Sequence, residues 1–284
     1  MIPVRQRTVL VAFLGYVVIN SVVSAQEPVK TLWSENGHLY KAKQVPSGIT
    51  WDDANSIASN LPGDWHLATV TSDAENAFLY DLVDDDPNFW NCCVGAHSSG
   101  PWLGAFSSCY TCCDWQWVTG EPFDYTNWAP REPFKNGDAI SFFGYQTFMS
   151  PGWNDIGRRV PGTVPSYIIE TASPPPVFVD ILPGRLSAIP GGTVTLDFVA
   201  KNLTNDNQAV QIWLVAFLPN GNPLIRNPLI GPRTITLGPA REIRRQATFP
   251  VPAQTPPGDY VLEVLIGAFP DNAVDSSSLV ISVQ

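Results

Sequence analysis

The sequence predicts two domains of different class, an α+β domain followed by an all-β sandwich. Two helix signals stand near the start of the chain, and short strand-like runs with long loops follow them. Three consecutive prolines at residues 174–176 then interrupt the chain. A proline triplet favours extended geometry and is excluded from central strands, so it marks a linker. Beyond it, short alternating apolar runs recur between Gly and Pro residues, which is typical of a β-sandwich.

The first 25 residues have the pattern of a secretory signal segment. Arg5 and Arg7 precede an apolar run over residues 9–23, and the small residues Ser24 and Ala25 follow it. We expect cleavage there, with the mature chain starting at Gln26; an uncleaved N-terminal anchor is the alternative. No second long apolar run occurs, so the sequence predicts a secreted protein, extracellular or periplasmic, without a membrane span in its mature part.

The charge of the chain argues against two classes of partner. The sequence has 16 basic and 26 acidic residues, a formal charge of -10. Loss of Arg5 and Arg7 with the signal segment would leave fourteen basic residues and a formal charge of -12. Such a chain is not attracted to nucleic acid or to anionic lipid. It is compatible with cation binding, although most surface carboxylates are simply solvated.

The first domain is expected to begin with two capped helices. Thr50 is positioned to cap the first helix. Its apolar face is Ala54, Ile57, Ala58 and Leu61. Ser72 and Glu75 have the spacing of a capping box at the start of the second. Its apolar face is Phe78, Leu79, Leu82 and Val83.

Strand-like runs account for most of the remaining chain. In the first domain, residues 26–171, they lie at 37–45, 67–70, 102–106, 115–118, 139–143 and 167–169. Residues 172–176 form the proline-rich linker. In the second domain, residues 177–284, seven runs lie at 177–181, 193–199, 210–217, 233–237, 243–249, 258–266 and 276–283. Asn220 and Gly221 mark a tight turn between two of them.

All five cysteines lie between Cys92 and Cys113. A secreted chain favours disulfides, but an odd count leaves one thiol over. The spacing of Cys109 and Cys112 loosely resembles half of a zinc site, although Cys92 and Cys93 are adjacent rather than separated by two residues. Local disulfides are the favoured interpretation, and zinc or unpaired structural thiols are the alternatives.

Aromatic residues alternate with carboxylates and amides between residues 102 and 155. Four motifs occur there in order: Trp102 with Leu-Gly-Ala, Trp115 with Gln-Trp, Glu132 with Pro133, and Trp153 with Asn-Asp. Their order resembles that of the C-type lectin-like domain, and the resemblance covers roughly residues 37–170. It implies an α+β C-type lectin-like fold and a secreted, non-catalytic binding protein. The leading ligand is then a glycan or glycoprotein.

Two further features qualify this resemblance. The disulfide that usually joins the family's first helix to its last strand is replaced here by Ala58 and Ile169, and Ala139 stands at a position of the second. The cysteines of this chain would therefore form local disulfides outside the usual framework of the family. The second domain more loosely resembles immunoglobulin-like modules of bacterial surface proteins, which implies a spacer rather than chemistry.

The resemblance also implies a calcium site that binds the sugar. Glu132, Asn154 and Asp155 match three of the family's five ligands. Phe134 replaces the fourth, and Gly137 falls near the fifth. Calcium takes about six to eight oxygen ligands, so further donors are needed.

Asn136 and Asp138 are close enough in sequence to supply those donors. The predicted metal set is therefore Glu132, Asn136, Asp138, Asn154 and Asp155. The predicted sugar-binding set is Glu132, Asn154, Asp155 and Trp128.

Two other interpretations stand beside this one. The carboxylates could be loop-capping groups in a fold that serves as a protein-binding or structural scaffold without sugar or calcium. An enzyme is the least favoured interpretation, because His38, His66 and His97 are scattered and lack a matched nucleophile.

Overall fold

The computed structural model describes residues 29–94, 97–112, 114–145, 149–182 and 185–284. The predicted signal segment lies outside these ranges. Within them, no helix combines the length and apolar character needed to cross a bilayer.

The first unit is a nine-stranded sheet with two helices. Its helices are α1 (Trp51–Ser59) and α2 (Asp73–Asp81), with a 3-10 turn at Pro87–Phe89. Its strands are β1 (Thr31–Leu32), β2 (Leu39–Ile49), β3 (His66–Leu67), β4 (Asn91–Val94), β5 (His97–Phe106), β6 (Gln116–Trp117), β7 (Ala139–Tyr145), β8 (Trp153–Ile156) and β9 (Val164–Thr171). The main strand order is β1-β2-β9-β5-β7-β8, so the first long strand and the last pair with each other and bring the two ends of the unit together.

Both predicted helices are present. The hydroxyl of Thr50 accepts a hydrogen bond from the Asp53 amide at 3.1 Å, as expected of a cap. Ala54 and Ala58 are buried, but Ile57 is 46% exposed, which corrects the predicted apolar face. Trp51 takes its place, because successive helical residues are about 100° apart and Trp51 lies on the same stripe as the two alanines.

The second helix has only half of the predicted capping box. The hydroxyl of Ser72 accepts from the Glu75 amide at 3.2 Å, but the Glu75 carboxylate turns towards Tyr40 and Thr71 instead of back to the cap. Leu79 and Val83 are buried as predicted. The predicted strand at 67–70 is shorter than expected, because beyond Leu67 the backbone of Ala68 bonds outside a regular ladder to Ile168 and Gly104.

The second unit contains two sheets that share one core. Its strands are β10 (Val177–Leu182), β11 (Arg185–Ala188), β12 (Thr193–Asn202), β13 (Gln208–Phe217), β14 (Ile230–Leu237), β15 (Glu242–Pro250), β16 (Gly258–Ala268) and β17 (Asn272–Val283). One sheet has the order β10-β12-β15 and the other β11-β17-β16-β13-β14. Alternate residues of both sheets, such as Val179, Leu196 and Val264, enter a common apolar cluster. All seven predicted strands are present, and β11 is additional.

The two units pack directly against each other. Phe178 and Val199 of the second unit belong to the same buried cluster as Leu67 and Trp102 of the first. Lys41 on β2 forms a buried ion pair with Asp180 on β10. The expected linker, residues 172–176, therefore joins two units that share an apolar and ionic contact.

Candidate functional site

Strand β8 places two of the predicted site residues side by side. Asn154 is half-buried and Asp155 is 2% exposed, as expected for neighbours on opposite faces of a strand. Trp153 before them is fully buried and anchors the strand in the core of the first unit. The Asp155 carboxylate is therefore held rigidly beneath the long loop that joins β6 to β7.

Asp155 is the centre of a hydrogen-bond network made by that loop. Its Oδ1 accepts from the Phe134 amide at 2.8 Å. Its Oδ2 accepts from the amides of Asn136 and Gly137 at 2.9 and 2.8 Å. A carboxylate has about four lone-pair sites, so three of them are used by loop backbone donors. The loop thus folds around a buried carboxylate.

Gly137 allows the loop to approach this closely. A Cβ atom added to Gly137 would lie 2.2 Å from the Ile156 nitrogen and 2.4 Å from the Asp155 carbonyl carbon. Both neighbours are backbone atoms of β8 that cannot move aside. The position at which the resemblance calls for a glutamate therefore has no room for a side chain.

Glu132 meets Asp155 in the same network. Its Oε2 accepts from the Phe134 amide at 2.8 Å, and its peptide bond to Pro133 is cis. Burial, together with a hydrogen bond to Asp155, raises the pKa of Glu132 to about 7. The two carboxyl groups are therefore close enough to share a proton.

Asp138 and Asn136, the other two predicted ligands in this loop, make contacts of their own. Asp138 lies next to Arg158, whose amide donates to Oδ1 at 2.7 Å and whose Nε lies 3.3 Å from Oδ2. Asn136 contributes its backbone amide to Asp155 and is exposed. Within the described ranges, Glu132, Asp138 and Asp155 do not form a cluster of ligand atoms within 4.8 Å of one another. The five-residue calcium site therefore stays a prediction.

Calcium binding would require a change in these contacts. The ion requires several converging oxygens. Here the Asp155 oxygens accept N–H groups, and Asp138 is neutralised by a guanidinium. A cation could reach the Asp155 carboxylate only if it released these amides.

The tip of the same loop is exposed and basic. Phe134 is 69% exposed, and Arg131 and Lys135 on either side are exposed as well. Both cations adopt positive φ, 79° and 65°. We call Arg131, Phe134 and Lys135 the loop tip.

The Trp residues are core rather than ligand platforms. Trp117 and Trp153 are 2% and 0% exposed. Trp128, the one predicted platform, packs on Trp153 and Trp115 with ring centroids 5.9 and 5.1 Å apart. It is half-buried, so only part of its surface is available to a ligand.

The described cysteine pair forms a disulfide. Cys109 and Cys112 are bonded within an exposed turn, which confirms the prediction of a local disulfide. Any pairing among the other three cysteines involves side chains outside the described residues.

Two groups were not predicted from the sequence. One is a cluster of the half-buried His38 with the buried Glu75 and Glu170, of which only Glu75 was interpreted, as a cap. His66 lies beside it, half-buried, with its Nδ1 3.6 Å from Glu170. The other is the pair of buried lysines at the contact between the units. Buried charges have no periodic signature, so no sequence signal identifies either group.

Comparison with known proteins relates the chain to lectin-like sequences. No protein-family model matches the chain. It is 32% identical over 116 residues to a lectin of Pleurodeles waltl, covering 40% of this chain and 60% of the relative. It is 27% identical over 132 residues to a snaclec of Echis carinatus that is named as a coagulation factor IX/factor X-binding protein, covering 43% and 96%.

A solved structure of human lithostathine covers 51% of this chain and 96% of its own, with 18% identity and a TM-score of 0.36. The sequence similarities support a C-type lectin-like fold for the first unit and relate the chain to lectin-like binding proteins. The chain spans 60% of the length of the lectin relative, and the matched segments make up 40% and 43% of this chain.

Proposed function

We propose that the chain is a secreted, non-catalytic binding protein that contacts a protein partner through the loop tip. The observation that carries this proposal is the closure of the long loop on Asp155, which holds the loop through three backbone amides and leaves Phe134 exposed. A loop ordered before binding loses little entropy on association. Aromatic and Arg side chains are enriched at protein interfaces.

The charge of the loop tip indicates the character of the partner. Arg131 and Lys135 are cations on a chain with a formal charge of -10. Opposite charges steer association and exclude partners of like charge. We therefore propose an acidic protein surface as the ligand.

Calcium-dependent binding of a glycan is the second candidate function. The observation in its favour is the contact between Glu132 and Asp155, since two carboxyl groups without a cation between them are electrostatically unfavourable. This function requires the loop amides to release their three hydrogen bonds to Asp155. Asn154 and Asn136 or Asp138 would then complete the calcium ligands, and Trp128 would contact the sugar. This requirement ranks it below the first candidate.

The second unit would act as a spacer of immunoglobulin-like type. The hydroxyl of Tyr260 donates to the Pro256 carbonyl at 3.0 Å, a contact characteristic of such sandwiches. Secretion is supported by the N-terminal pattern and by the Cys109–Cys112 disulfide, because disulfides persist in oxidising compartments.

The test is binding of the full chain to an array of extracellular proteins and to a glycan array, each with calcium and with chelator. Calcium-independent binding to acidic proteins that is lost in Phe134→Ala supports the proposal. The matched control is Ile189→Ala, because Ile189 is 65% exposed and lies in the second unit. Glycan binding that chelator abolishes would instead establish the second candidate.

A further inference from the structure

Two buried carboxylates meet on the face of the sheet opposite the contact between the units. Tyr40 on β2 is directly paired with Glu170 on β9, and Glu75 approaches from the first turn of α2. Glu75 accepts from the Tyr40 hydroxyl at 2.5 Å and from the Thr71 amide at 2.7 Å. Glu75 and Glu170 are 2% and 1% exposed. Two carboxyl groups in so dry a place are stabilised by protons, by hydrogen-bond donors or by a cation.

Two atoms at this place have no hydrogen-bond partner. They are Nδ1 of His38 and Oε2 of Glu170, both buried within the described part of the chain. Glu170 uses its other oxygen, which accepts from the Thr69 hydroxyl at 2.7 Å. Unsatisfied buried polar atoms are rare and costly, and a bound ion is one of the recognised ways of satisfying them.

The ligand atoms of three side chains converge here. One ring nitrogen of His38 and one carboxylate oxygen each of Glu75 and Glu170 lie within 4.8 Å of one another. We propose that His38, Glu75 and Glu170 bind a divalent transition-metal ion, with zinc as the ion of choice. The site is separate from the long loop and independent of the function proposed for it.

The donor set selects the class of metal. Imidazole nitrogen suits zinc and its neighbours, whereas calcium requires six to eight oxygens. Zinc bonds of about 2.0–2.2 Å place tetrahedral ligands about 3.4 Å apart, so the widest pair must close by at most about 1.4 Å. His38 is half-buried and precedes β2, so it has freedom to move inward and leaves a path from solvent.

Isothermal titration of the chelator-stripped full chain with zinc chloride tests the proposal. We expect one ion per chain in the parent. We expect a loss of at least about 100-fold in affinity in His38→Ala and in Glu170→Gln, since even an outer contact is worth about 10–100-fold. Cobalt absorption in the visible range reports the nitrogen ligand in the parent and its loss in His38→Ala.

His66→Ala is the matched histidine control. Its Nδ1 lies 3.0 Å from the Leu67 carbonyl and 3.6 Å from Glu170, so it is at most an outer contact. Since an outer contact is worth about 10–100-fold, His66→Ala is expected to lose less zinc affinity than His38→Ala. Circular dichroism verifies that each variant folds, and His38→Ala remains informative if Glu170→Gln does not.

Three results would overturn the proposal. They are no zinc binding in the parent, zinc binding unchanged in His38→Ala, and calcium binding to the carboxylates that ignores His38. Zinc bound by the cysteines would leave zinc binding unchanged in His38→Ala and would therefore overturn the proposal.

Discussion

The ammonium group of Lys30 contacts both carboxylate oxygens of Asp275, at 2.8 and 2.7 Å. The two residues are 245 positions apart. Lys30 lies just before β1, and Asp275 lies on the last strand, β17. Both side chains are almost fully buried, 6% and 5% exposed. The start of the first unit is thus fastened to the end of the second by a charge pair shielded from water.

Asp275→Asn is expected to destabilise the protein by about 3–5 kcal/mol, because it removes the carboxylate that contacts the buried Lys30 ammonium. Denaturant unfolding measures the change. The control is Glu242→Gln in the exposed pair with Arg244, 3.2 Å apart, for which we expect less than about 1 kcal/mol. Equal effects of the two substitutions would show that the buried pair does not hold the units together.

Acid should weaken the neighbouring buried ion pair between Lys41 and Asp180. Burial alone raises the pKa of this carboxyl, but the ammonium groups of Lys41 and Lys30 outweigh it and hold the pKa at about 2. A lowered folded-state pKa means that the stabilisation is complete above the unfolded value near 4 and is lost as the pH falls towards 2. The contribution is on the order of 2 kcal/mol. Unfolding of the parent and of Asp180→Asn at pH 6, 4, 3 and 2 should show the difference between them shrinking only below about pH 4.

Asp155→Ala should loosen the long loop. The amides of Asn136 and Gly137 lose their acceptor and the amide of Phe134 keeps only Glu132, so we expect a loss of about 2–4 kcal/mol, since hydrogen bonds to a charged group are the stronger kind. Hydrogen exchange at those three amides measures the local effect. Asn154→Ala is the adjacent control and should leave their protection unchanged. Protection that persists in Asp155→Ala would contradict the network.

Glu132 should make the stability of the protein depend on pH in the opposite direction to Asp180, with stability falling as the pH rises. Burial and the hydrogen bond with Asp155 raise the pKa of Glu132 from 4.5 to about 7. A raised folded-state pKa gives stability that is complete below about pH 4.5 and is lost as the pH rises through 7. Glu132→Gln mimics the protonated form, so its melting temperature should exceed that of the parent at pH 8 and approach it at pH 4. A constant difference between the two proteins at both pH values would contradict the shared proton.

The secondary structure could be predicted because its signals are local. The side chains of Thr50 and Ser72 cap the two helices and so indicate where each helix begins. Period-two alternation identifies all seven predicted strands of the second unit. The exposure of Ile57 could not be predicted, since the helical period fits more than one apolar stripe. The burial of Trp51 determines which stripe faces the core.

The site was less accessible to sequence reasoning for a physical reason. Matching motifs identified Glu132 and Asp155, which the structure brings into one hydrogen-bond network, but did not indicate what their oxygens bind. Backbone amides leave no trace in a sequence, so the capture of Asp155 by three of them was invisible. The pairing of Asp138 with Arg158 depends on how β7 and β8 align, which spacing alone does not determine.

The hydrogen bonds between the loop backbone and Asp155 determine how freely the exposed side chains of the loop can be substituted. Because the backbone between Phe134 and Gly137 is fixed by a carboxylate on β8, the side chains of Arg131, Phe134 and Lys135 add nothing to that fastening. Substitutions there can alter recognition while the support beneath stays intact. The loop therefore offers a position where new specificities could be selected, by evolution or by library design, at little cost to folding.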